Sequence, residues 1–180
     1  MITRRRLSIT LCTLLVLLFT GHGFAESQPP LDARTVMASQ ILNLRQQNAT
    51  HFSGGQPNQA QLKTLSEAGI KHIINLRMPE EQNWDERQRV QSLGMQYHTI
   101  PIAGADNITA ENATALANLL AAIDDEPVLI HCASGNRVGA LIAVDKAINK
   151  AQPIEQAIIT GKDWGMTRLE PVIRAKLSKN

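Results

Sequence analysis

Apolar positions along the chain fall into short runs, separated by longer stretches in which they recur every three or four residues. Ile73, Ile74 and Leu76 centre the run 70–76, positions 95–102 alternate up to a closing Pro101, and Val128, Leu129 and Ile130 form a third run. Runs this short, without regularly spaced polar positions, read as buried strands. Between them, Asn58 is placed to cap a helix whose third position is Gln61, as in a capping box. Leu62, Leu65 and Ala68 supply its apolar face and Gly69 ends it. Further helices are expected over 80–93, stopped by Gly94; over 110–123, capped by Thr109; over 138–149; from Pro153 onward; and around 168–177. Segment 35–44 reads equally as a short helix or as the lead into an edge strand. Segment 52–57, with Gly54, Gly55 and Pro57, reads as a turn.

Helices alternating with buried strands imply a three-layer α/β domain: a mostly parallel central sheet with helices on both faces. Ligands in such sheets bind beyond the carboxyl ends of the strands. Length is consistent with one such domain, assigned to 38–180, after a flexible lead-in over 26–37. Residues 1–25 have the pattern of a secretory signal peptide. Arg4, Arg5 and Arg6 precede an apolar run over 7–19, and Gly23-Phe24-Ala25 ends in a small residue suited to cleavage. The expected location is therefore exported: periplasmic in a Gram-negative source, otherwise secreted. No later run is long and apolar enough to span a bilayer, so no stable membrane insertion is expected once the leader is removed.

Removing that leader alters two readings. The chain has 18 Lys and Arg against 16 Asp and Glu, but three arginines and no acid lie in 1–25, leaving 15 against 16. No basic cluster remains, which argues against a nucleic-acid partner. Cys12 also departs, and Cys132 becomes the sole cysteine. An internal disulfide is then excluded, and the thiol is reactive, buried and inert, or paired with another chain.

Cys132 lies in His131-Cys132-Ala133-Ser134-Gly135-Asn136-Arg137, between an apolar strand and an apolar helix. A thiolate at such a place meets unpaired backbone N–H groups and the positive end of the helix. Arg137 adds a two-pronged clamp for an oxyanion. The combination points to a nucleophilic cysteine under an anion pocket built by Ala133, Ser134, Gly135, Asn136 and Arg137. A phosphate ester or another oxyanion is the expected ligand. Gly135 lets the backbone curl inward, Ser134 can donate to the sulfur or the departing oxygen, and Asn136 suits a loop-shaping role. If Cys132 points into the pocket, His131 points away from it and supports the loop. A proton for the leaving group is expected from Asp106, on the loop after the second strand, with Glu80, Glu81 and Asp85 as weaker alternatives. Arg77 ends a strand near the same rim, where it either binds an anion or pairs with a local carboxylate. His51, His72 and His98 lack close metal-ligand spacing, so no metal or other cofactor is expected.

The chain resembles the cysteine-dependent protein phosphatase superfamily, especially the small bacterial group related to dual-specificity phosphatases. The resemblance rests on Gly55-Gln56-Pro57; Leu62, Leu65 and Gly69; Ile74-Asn75-Leu76-Arg77; Ile100-Pro101-Ile102; and His131-Cys132 through Arg137, and it covers about 38–150. It implies a phosphoric monoester hydrolase with Cys132 forming a phosphocysteine, Arg137 binding phosphate and Asp106 acting as the acid. The sequence departs from the usual signature in two respects: four residues, rather than five, separate cysteine from arginine, and Val138 follows where a hydroxyl residue is common. The shorter loop is similar to that of rhodanese-like sulfurtransferases, which carry a cysteine persulfide. A domain that binds oxyanions without turnover is the third reading.

Overall fold

A computed structural model describes residues 29–179. The expected signal peptide and residues 26–28 lie outside the described residues. Five strands, β1 (Arg45–Gln46), β2 (His51–Gly54), β3 (His72–Asn75), β4 (Gln96–Thr99) and β5 (Val128–His131), form one sheet in the order β1-β2-β5-β3-β4. All pairings are parallel except that of the edge strand β1 with β2. Seven α-helices surround it: α1 (Ala33–Ala38), α2 (Gln59–Glu67), α3 (Glu86–Ser92), α4 (Ala110–Ala122), α5 (Asn136–Val144), α6 (Ile154–Asp163) and α7 (Glu170–Leu177).

Successive side chains of a strand point to opposite faces, and the two cores follow that alternation. Ile73 and Leu129 pack with Phe52, Val36 of α1, Leu62 and Leu65 of α2 and Val90 of α3. Ile74, Leu76, Val128, Ile130 and Cys132 pack on the other side with residues of α4, α5, α6 and α7. The three-layer α/β reading is thus realised, and the alternation also sets Cys132 and His131 on opposite sides of the sheet.

Local signals account for the helix starts. Asn58 and Gln61 form a reciprocal capping box on α2, and Thr109 accepts from the Asn112 N–H at the start of α4. Three expectations change, and one open reading is resolved. The lead-in 26–37 is helical from Ala33, with Val36 fully buried, because Asp32 caps that turn. Segment 35–44 is helical to Ala38 and then leads to β1. The helix expected at 80 begins only at Glu86, after a 3-10 turn at Pro79–Glu81, because Asp85 is the cap. Segment 52–57 is no turn: its first residues belong to β2, and its two glycines serve close approach. A Cβ on Gly55 would stand 3.0 Å from the Ala133 carbonyl oxygen and 3.0 Å from that of Leu42.

The central helix α5 lies against α6 through a glycine pair. A Cβ on Gly139 would fall 2.2 Å from the Gly161 carbonyl oxygen and 2.3 Å from the Met166 nitrogen, so the backbones must part to admit one. Gly139→Ala is expected to destabilise the fold by about 2–3 kcal/mol, measured by urea denaturation. An unchanged midpoint would contradict this packing.

Candidate active site

The loop from Cys132 to Gly135 joins the carboxyl end of β5 to the start of α5. Gly135, with φ of 82°, sits in the left-handed region as the N-cap. The loop is held from outside through its carbonyls. Gln56 N–H donates to the Ala133 oxygen at 3.4 Å and Asn43 Nδ2 to the Ser134 oxygen at 3.1 Å, while Cys132 N–H continues the ladder to the Gly54 oxygen at 3.4 Å. Among the described residues, the N–H groups of Ala133, Ser134, Arg137 and Val138 have no protein acceptor. With carbonyls turned outward, these amides form the inner lining of the turn, the arrangement that binds anions. Asn136 holds the loop to its surroundings, in line with the loop-shaping role read from the sequence. Its Oδ1 accepts from Thr167 N–H at 2.7 Å and Leu169 N–H at 3.3 Å, tying the loop to the turn before α7. Its side chain therefore shapes the loop rather than lining the pocket.

Arg137 is fixed through both of its terminal nitrogens. Nη1 donates to Glu81 Oε1 and to the Ile102 carbonyl, each at 2.6 Å, and Nη2 donates to Glu81 Oε2 at 2.6 Å. A guanidinium carries five N–H bonds. The Nε–H and the second Nη2–H have no acceptor oxygen among the described residues, and the guanidinium lies against the Cys132 sulfur. The hydrogen bonds that Arg137 donates to Glu81 raise its pKa above the ordinary value, outweighing burial, and the adjacent Cys132 sulfur adds to the effect. Cys132 is 1% exposed, on the floor of the loop beside the guanidinium.

Glu81 is held at about 2, first by the hydrogen bond from Arg137, with the Met78 N–H and Arg77 contributing against burial. A carboxylate this acidic is ionised at neutral pH, so Glu81 is a tether for Arg137 and not a proton donor. Arg77 takes the local-pairing option: it bonds the Gln56 side chain at 2.8 Å and both the backbone oxygen and the carboxylate of Glu81. Asp106 is exposed on a 3-10 turn, Ala105–Asn107, four residues after the Ile102 carbonyl that Arg137 grips. Asp85 caps α3, and Glu80 is exposed in the turn before it.

The sequence reading missed Glu86. Its side chain is fully buried, 3.2 Å from His131 Nε2, an ion-pair distance without in-line hydrogen-bond geometry. Gln56 Nε2 donates to it at 2.6 Å, Asn75 Nδ2 at 3.0 Å, Tyr97 hydroxyl at 3.2 Å and Gln82 Nε2 at 3.3 Å. Burial is the largest influence on Glu86 and pushes its pKa up, but His131 and the donors outweigh it and leave the pKa below the ordinary carboxylate value. A glutamate at the start of a charged helix has no sequence signature of burial. The only available hint was that Asn75, Tyr97 and His131 are polar residues on inward-facing strand positions.

A parallel sheet with a cysteine at the end of its central strand, an amide-lined turn and an arginine on the following helix defines a cysteine-based phosphatase-like protein. The chain belongs to the family described as DSP-PTPase phosphatase fused to NAD+ kinase, whose model matches residues 32–170. It is 33% identical over 100 residues to a beta-lactamase hydrolase-like protein of Agrobacterium fabrum, a match that covers 53% of this chain and 23% of that protein. The chain thus spans under a quarter of the length of the curated relatives it matches. A DUF442 protein of Shewanella putrefaciens CN-32 shares the fold, with a TM-score of 0.62 and 23% identity over 82% of this chain and 97% of its own. The TpbA protein of P. aeruginosa, solved with pTyr, has a TM-score of 0.57 and 18% identity over 77% and 92%. The PP-IP phosphatase SIW14 of S. cerevisiae has a TM-score of 0.61 and 18% identity over 77% and 85%.

The Glu81 tether is pH-dependent with a defined sign. Because the folded-state pKa is lowered from 4.5 to about 2, its stabilisation is complete above pH 4.5 and is lost as pH falls through about 2. Glu81→Gln is expected to lower stability at pH 7 by about 1–2 kcal/mol, with the difference from wild type shrinking in acid. Urea denaturation at both ends of that range checks it; equal stability at pH 7 would contradict the tether.

Proposed function

We propose that the protein is a phosphoric monoester hydrolase that works through a phosphocysteine on Cys132. The observation that carries the reading is the edge of Arg137 that meets no acceptor oxygen among the described residues and lies against the Cys132 sulfur, at the mouth of a turn in which the N–H groups of Ala133, Ser134, Arg137 and Val138 have no protein acceptor. A tetrahedral anion seated there is held by Arg137 and the loop N–H groups while the sulfur attacks phosphorus. The S–P bond forms as the bond from phosphorus to the leaving oxygen breaks, and Asp106 supplies the proton that the oxygen takes. Water then attacks phosphorus, Asp106 receives the proton, and the S–P bond breaks to release phosphate and restore the thiolate. The position of Asp106 on the loop gripped by Arg137 supports this role. Phosphoproteins, including phosphotyrosine ones, are the substrate class favoured by the likeness to a protein solved with pTyr. Export by the leader at 1–25 would place the reaction outside the cytoplasm.

Two features keep other readings in the test. The four-residue gap favours a sulfurtransferase, and the 1% exposure of Cys132 favours an oxyanion-binding domain without turnover. Protein lacking residues 1–25 is expected to release phosphate from an aryl phosphate. Cys132→Ser abolishes release, Arg137→Ala lowers it about 100-fold or more, and Asp106→Asn lowers it about 100-fold with the fold intact. Thiocyanate formed from thiosulfate and cyanide without phosphate release would establish the sulfurtransferase instead. Anion binding with neither activity would establish the binding domain.

A further inference from the structure

His131 and Cys132 are neighbours whose side chains lie on opposite sides of the sheet, and the buried carboxylate of Glu86 stands against the histidine. His131 Nδ1 in turn lies 3.4 Å from the Cys132 carbonyl oxygen. That carbonyl shares a rigid plane with the Ala133 N–H, and in a trans peptide the two point in opposite directions. Holding the carbonyl toward the His131 ring therefore aims the Ala133 N–H away from it, to the side where Cys132 lies. Ala133 N–H is the first of the loop amides without a protein acceptor.

We propose that Glu86 is a positioning residue for the anion cradle: it fixes the His131 ring, the ring holds the Cys132 carbonyl, and the peptide plane thereby aims the Ala133 N–H at the bound oxyanion. The four side-chain donors from Gln56, Asn75, Tyr97 and Gln82 keep the carboxylate in one place, so the ring has one resting orientation. No other acid among the described residues contacts His131. The inference rests on Cys132 facing an anion site, but not on turnover.

Protection of Cys132 from iodoacetamide by inorganic phosphate measures the cradle directly. Glu86→Gln is expected to weaken protection about tenfold and to lower kcat for an aryl phosphate by about 10- to 100-fold, with KM changed less than about threefold. Combined with His131→Asn, it should cost no more than the worse single change, because the two residues act in series. Tyr97→Phe removes one donor to the carboxylate and leaves its neighbours, so it should shift protection in the same direction by less, which keeps the test open if Glu86→Gln folds poorly. Wild-type protection constants in both variants would overturn the proposal, as would additive losses in the double variant. Protection without turnover in the wild type would remove the hydrolase reading and leave this one standing. Failure of phosphate to protect the wild type would remove both.

Discussion

Both ends of the motif loop are tied to carboxylates from one segment. Glu81 grips Arg137 at the helix end, and Glu86, five residues on, stands against His131 at the strand end. Between those two anchors the loop is bridged to Gly54-Gly55, and the N–H groups of Ala133, Ser134, Arg137 and Val138 have no acceptor among the described residues. Burying a carboxylate is expensive unless charge and donors compensate. Glu86 has four donors and a histidine, and Glu81 has two arginines. The conformation of the loop thus depends on polar interactions made outside it, which leaves its inner face free to meet a ligand.

The sheet supplies the rest of the geometry. β5 lies between β2 and β3, so its carboxyl end is flanked by Gly54-Gly55 on one side and by Asn75 to Arg77 on the other. The glycines admit the loop carbonyls closely, and the polar end of β3 carries the network around Glu86. The side that takes Cys132 is closed by the packing of α5 against α6, where Gly139 and Gly161 allow backbone contact. A buried sulfur beside a half-buried guanidinium is the outcome.

Much of the fold could be read from the sequence, because strand burial and helix caps are local signals. Ile73-Ile74, Leu129-Ile130, the Asn58–Gln61 box and Thr109 each act within a few residues of themselves. Gly54-Gly55 misled, since glycine marks turns and close approaches alike and only the partner strand distinguishes them. The candidate site was legible in its cysteine and its arginine, whose spacing is contained in seven residues. Its supports were not. Glu81 and Glu86 act across 56 and 45 residues of sequence on Arg137 and His131, and nothing local separates a tether from a solvated acid.

The central claim is that Cys132 receives a phosphoryl group from a substrate held by Arg137 and the loop amides. Its most direct test is to mix the protein with an excess of aryl phosphate, quench in acid within the first turnover, and determine the mass of the peptide containing Cys132. The account predicts a population of that peptide heavier by one phosphoryl group, absent when Cys132 is replaced by serine. An unmodified peptide under conditions where phosphate is being released, or a phosphoryl group on any other residue, would contradict it.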